Sequence, residues 1–133
     1  MKQFLEFPTR IHNAIIVLSF LVGYKGKYAA SLSLISKNLG LSYDYLEQIV
    51  PSLKRAGIIK SYRGSAGGYR LAKPAATISI MDIIVALDGD FQVAACIGGR
   101  CKIEQKCPSK KIHHKIQSEL KNSLDKITLT DLK

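Results

Sequence analysis

Three glycines and a serine held between two arginines, Arg63-Gly64-Ser65-Ala66-Gly67-Gly68-Tyr69-Arg70, constrain this chain more than any other segment. The runs on either side, Gly57-Ile58-Ile59-Lys60-Ser61-Tyr62 and Arg70-Leu71-Ala72, are short and β-prone, so the whole reads as a hairpin with a flexible tip. Immediately before it, residues 42–55 pattern as an amphipathic helix, with Leu46, Ile49, Val50 and Leu53 inward. A helix followed at once by a cationic, glycine-tipped hairpin is the organisation of a winged helix, and it points to DNA.

The segment upstream agrees. Residues 9–22 carry Ile11, Ile15, Leu18 and Val22 on one stripe, with Ala14 and Leu21 alongside, which predicts a largely buried helix. Residues 31–38 predict a shorter helix with Leu32, Ile35 and Leu39 inward and Gly40 as its C-cap. Ser42 then restarts the chain as an N-cap, with Tyr45 where a capping box would place Glu or Gln. Helix, tight turn and helix make a helix-turn-helix. Pro51 falls inside the second of these helices and predicts a kink or a restart.

A groove-reading helix presents its N-terminal residues to base edges. Here those are Ser42, Tyr43 and Asp44, with Glu47 and Gln48 one turn on. Gln pairs well with adenine and Glu accepts from the cytosine amino group, whereas Tyr45 reads as core. In the hairpin, Arg63 is the candidate groove cation. Gly64, Ser65 and Gly67 form the tip whose backbone can approach phosphates, as can Gly68. Charge is distributed accordingly. Of the net +10, residues 1–75 hold eleven Lys/Arg against three Asp/Glu, while residues 76–133 hold nine against seven.

The back half reads as an apolar helix over 80–87, an irregular loop over 88–107 and a long last helix to about Lys126, with Pro108 in its first turn. That helix repeats Ile112, Ile116, Leu120, Leu124 and Ile127, a single stripe suited to pairing with a second copy. The predicted architecture is mainly α with a small β-hairpin: a winged helix-turn-helix over 1–75 and a cysteine-loop and dimerisation region over 76–133. The longest apolar run is about ten residues, half of what a membrane span needs, and the first residues show no cleavable leader. A cytoplasmic protein with reduced thiols is therefore expected. Its three cysteines, Cys96, Cys101 and Cys107, all fall in one loop, which favours ligation over structural disulfides. The spacing lacks the Cys-x2-Cys pairs of zinc sites and suits the wider wrap of an iron–sulfur cluster. Gly98 and Gly99 allow a tight loop, and Arg100, Lys102 and Lys106 offset thiolate charge. No Cys-x-x-Cys and no acid–base pair suggests an enzyme.

Taken together, Leu41-Ser42-Tyr43-Asp44-Tyr45-Leu46-Glu47-Gln48, the Arg63 to Tyr69 tip, the three-cysteine loop and Ile127-Thr128-Leu129 resemble the Rrf2 family of bacterial winged-helix transcriptional regulators, over nearly the whole chain. The resemblance implies a homodimer that binds palindromic double-stranded promoter DNA, as repressor or activator, and crosses its long C-terminal helices. It implies that Ser42, Tyr43 and Glu47 are recognition contacts and Arg63 the wing contact. It also implies that Cys96, Cys101 and Cys107 hold a two-iron or four-iron sulfur cluster sensing redox state, nitric oxide or iron supply.

The chain departs from the pattern in two places. Four residues separate the first two cysteines where the family has five, and Lys110 stands where one branch has a ligating histidine. His113 and His114 lie about 9–10 Å along a helix axis from Cys107, which reads as surface or dimer-interface positions. Where another branch uses an acidic residue from the partner subunit, this chain has Arg10, with Glu6 and His12 close by. The fourth ligand is thus open among Glu6, His12, His113, His114 and none. The competing reading is a cluster-free regulator controlled by a protein partner or by thiol oxidation.

Overall fold

A computed structural model describes residues 6–99 and 101–132. Arg100 and the leader reading of the first five residues lie outside the described residues. Helix α1 (Thr9–Gly23) buries Ile11, Ala14, Val17, Leu18 and Leu21. Ile15 and Val22, placed on the predicted stripe, are half-buried, because the contact face is rotated toward Val17. Helix α2 (Leu32–Leu39) begins under a Ser31 cap that accepts from the Leu34 amide and ends at Gly40 in the left-handed conformation, φ 69°. Helix α3 (Tyr43–Arg55) begins with the Ser42 hydroxyl accepting from the Tyr45 N–H at 3.1 Å. Ser42→Ala should therefore cost about 1 kcal/mol, read as a lower midpoint of denaturant unfolding. Of the kink or restart expected at Pro51, the restart does not occur: α3 runs through it. Glu47 and Pro51 share its exposed side, so the carbonyl that loses its donor lies toward solvent.

The hairpin follows as β1 (Ile59–Tyr62) and β2 (Gly68–Leu71), antiparallel with Ile59 opposite Leu71 and Tyr62 opposite Gly68. A third edge comes from Ala30, which exchanges two backbone hydrogen bonds with Tyr69. Gly68 is required here by contact, since a Cβ on it would stand 2.3 Å from the Ala30 carbonyl oxygen. Helix α4 (Ile80–Asp88) carries a full capping box between Ser79 and Asp82 and buries Ile80, Met81, Ile83, Ile84 and Leu87.

Helix α5 (Lys110–Lys126) starts later than expected, with Pro108 in the turn before it. Its end is clipped to the start of α4 by Ile80 N–H to Ile127 O at 2.9 Å and Leu129 N–H to Ile78 O at 3.0 Å. Leu129 is fully buried in the same core as α1, α3 and α4, so one hydrophobic core extends across position 75. The predicted stripe of α5 divides. Leu124 packs on this core, whereas Ile112 (62% exposed) and Ile116 (44%) face outward.

Candidate nucleic-acid interface and cysteine loop

The core contacts of α3 take Leu46, Ile49, Val50 and Leu53, which leaves Tyr43, Asp44, Glu47 and Gln48 exposed beyond the Ser42 cap. Tyr45 is half-buried against the core, as expected, with its hydroxyl buried and unpartnered among the described residues. Arg63 is exposed at the wing base, and no hydrogen bond or ion pair among the described residues engages it. Beside it the sequence reading missed a pair on β1: Lys60 Nζ lies 5.6 Å from the centre of the exposed Tyr62 ring. Lys60 and Tyr62 stand two residues apart on the face of β1 opposite the buried Ile59, and that spacing was the available signal.

The two arginines flanking the tip are not equivalent. Arg70 is half-buried and donates to the carbonyls of Gly26 (2.6 Å) and Tyr28 (2.9 Å), with its guanidinium 5.7 Å from the Tyr24 ring centre. It ties the wing to the α1–α2 connection. The glycine tip is also more structural than expected. Gly67 N–H donates to Gly64 O at 3.0 Å and is not free for phosphate, and a Cβ on Gly67 would meet the Tyr62 carbonyl at 2.4 Å. Gly64 and Ser65 remain exposed.

The cysteine loop is folded onto α5 by a polar stripe that an apolar periodicity search does not see. Lys121 forms an ion pair with Asp90 at 2.5 Å. One turn earlier, the buried Gln117 donates to Phe91 O at 2.6 Å and accepts from Val93 N–H at 2.9 Å. One turn earlier again, His113 Nδ1 stands 3.6 Å from Cys96 Sγ in a shared hydrogen bond. His113 is thus half-buried beside the buried Cys96, where its distance from Cys107 along the helix predicts a surface or dimer-interface position. His114 is exposed. The Asp90 carboxyl is held below its ordinary range by the Lys121 hydrogen bond and the Phe91 amide. That end of the stripe is therefore intact at neutral pH and loosens only as pH falls through the depressed value.

Cys101 and Cys107 are half-exposed, and among the described residues no group of three or more candidate ligands is already gathered. The Ser109 hydroxyl, 3.0 Å from the Cys107 sulfur, and the neighbouring amides hold that thiol below its ordinary range. Arg10 is committed to the fold, donating to Asp88 Oδ1 (2.9 Å) and Leu87 O (3.1 Å) at the C-terminal end of α4. Glu6 lines a groove with Phe7, Ile84 and Phe91, and His12 is exposed. In kind, three thiols on one short loop and an imidazole beside the first of them match the donors an iron–sulfur cluster takes.

The family model described as Rrf2, iron-dependent transcriptional regulator, matches residues 7–133. The chain belongs to the Rrf2 family. It is 37% identical over 107 residues to the HTH-type transcriptional regulator IscR of Vibrio vulnificus, covering 80% of this chain and 64% of that protein. The chain thus spans less than two thirds of that relative. Its structure is similar to that of CymR, the global cysteine regulator of B. subtilis, with a TM-score of 0.79 at 32% identity over 97% of this chain and 96% of that one. It is also similar to T. potens IscR, with a TM-score of 0.74 at 32% identity over 97% and 86%. This mainly helical winged helix is therefore the Rrf2 fold, and no described helix is long and apolar enough to cross a membrane.

Proposed function

We propose that the protein is a cytoplasmic, non-enzymatic transcriptional regulator that binds promoter DNA, with operator affinity set by an iron–sulfur cluster on Cys96, Cys101 and Cys107. The observation that carries the DNA reading is the set of side chains the fold leaves unused: Tyr43, Asp44, Glu47 and Gln48 at the start of α3, and Arg63 on the wing. In this reading Ser42 and that α3 face enter the major groove, and Arg63, Gly64 and Ser65 follow the backbone into the next groove. Operator affinity measured across a salt series tests this. It should fall linearly in log–log form with several counterions released, and a flat dependence would remove the basic front half from the interface.

The regulator acts as a homodimer, because Ile112 and Ile116 are exposed on α5 beside an apolar groove of about 340 Å³ that Leu120 and Leu124 help line. Changing both isoleucines to Glu should give a monomer by sedimentation velocity and weaken binding to a two-half-site operator. A dimer of unchanged strength would place the interface elsewhere.

When bound, the cluster supplies an iron centre sensitive to oxidants, nitric oxide or iron shortage. The chain's own residues relay that state. Gln117 and Lys121 fasten residues 90–93 to α5, and the Ile127 and Leu129 contacts fasten α5 to the start of α4. A loop rearranged at the cysteines therefore shifts α5, and with it the spacing of two recognition helices in a dimer. Coupling of this kind is typically worth about 1–3 kcal/mol.

The cluster-free reading has one observation in its favour, the Cys107 thiol activated by Ser109, which suits direct oxidation. Iron and sulfide analysis separates the two.

A further inference from the structure

We propose that Lys27, Tyr28, Lys60 and Tyr62 form a second DNA contact, a strip that grips the sugar–phosphate backbone outside the base pairs that α3 reads. The proposal rests on the DNA reading above and extends it to a face of the sheet that neither the helix nor the glycine tip occupies. That face is the outer side of the hairpin. Tyr69 and Leu71 turn to the core, so Arg70 between them turns outward, with Lys60 opposite it and Tyr62 two residues along β1. Arg70 also donates to the carbonyls of Gly26 and Tyr28, which fixes the α1–α2 connection beside the same sheet edge.

Two separate segments thus arrive with the same device, a lysine beside an exposed tyrosine ring. Lys27 Nζ lies 5.5 Å from the Tyr28 ring centre, and Lys60 Nζ lies 5.6 Å from that of Tyr62. The two tyrosines are 56% and 43% exposed, and neither ammonium has an ion pair among the described residues. The ring orients a flexible lysine stem, and a tyrosine hydroxyl is itself a donor to phosphate. Charge selects the partner. Residues 7–43 and 48–81 contain no Asp or Glu but carry four and six Lys/Arg, so no carboxylate of these segments offsets the strip. Such a face fits a polyanion, and Arg63, next along the chain from Tyr62, is the residue that brings duplex DNA to it. A lysine is a point charge without the paired geometry that reads a base, so the contact is independent of sequence.

The test uses the full chain and an operator that the wild type selects from random-sequence duplexes, prepared in two lengths. The short duplex ends at the outermost base pair that selection fixes. The long one continues in unrelated sequence for about 10 base pairs, one helical turn, at each end. On the long duplex, changing Lys27 and Lys60 to Gln should lower the slope of log affinity against log salt by about one for each lysine removed from the complex. Hydroxyl-radical protection should retreat at both outer edges. On the short duplex the variant should match the wild type, which controls for its lost net charge. Tyr62→Ala should weaken binding to the long duplex at an unchanged slope. All three side chains are exposed, so thermal melts should not move. An unchanged slope for the lysine variant on the long duplex overturns the strip and leaves the face to an acidic protein, with the α3 and Arg63 contacts standing. An equal loss on both duplexes, or one that varies with the flanking sequence, overturns its placement outside the base pairs read. A wild type that selects no operator, or whose affinity is flat in salt, overturns the DNA reading and the strip together.

Discussion

Replacing Arg63 by Ala should weaken operator binding by about 1–3 kcal/mol, roughly five- to 150-fold, with no change in thermal stability. The side chain is exposed and makes no contact that the fold needs, so its removal is felt only by what docks against the wing. Arg70→Ala is the matched control. Its guanidinium donates to two carbonyls and lies over Tyr24, so losing it should lower the melting temperature first and affect DNA only through a loosened wing. Fluorescence anisotropy on a fixed operator, paired with thermal melts, separates the two cases. Unchanged affinity in the Arg63 variant would take the wing out of the interface.

Leu129→Ala should cost about 2–5 kcal/mol of folding stability, the range for truncating a fully buried leucine. Leu129 is completely buried, and its backbone N–H is bonded to Ile78, so the core cannot readily close over the lost volume. The contact also docks the end of α5 on the DNA-binding core. The variant should therefore lose part of its response to the state of the cysteine loop even where it stays folded. Chemical denaturation gives the first effect, and a loss below about 1 kcal/mol would mean that the C-terminal segment is peripheral to the core.

What the sequence made legible was local. Ser42 and Gly40 announce helix ends through groups that act within a few residues, and the glycine tip announces a turn. The inward positions of α3 follow from a single period. What it hid was contact between distant segments. Arg63 and Arg70 look alike in a list of residues, yet one is exposed and the other is spent on Gly26 and Tyr28, more than forty positions away. The glycines of the tip suggest an approach to phosphates, whereas Gly68 is needed because Ala30 passes against it. Distance along the helix from Cys107 sets His113 apart from that cysteine, but the loop folds back and places Cys96 against it. The stripe of His113, Gln117 and Lys121 has helical spacing as regular as that of the isoleucines. Being polar, it gave no hydrophobic signal.

The most direct test of the account is anaerobic purification with iron, sulfide and visible-spectrum analysis, coupled to operator affinity before and after the iron is removed. The account predicts stoichiometric iron and sulfide, charge-transfer absorption lost in Cys96→Ala, Cys101→Ala and Cys107→Ala, and a change in affinity of about five- to 150-fold on removal. A colourless protein that binds promoter DNA with the same affinity whatever its treatment with iron would contradict it.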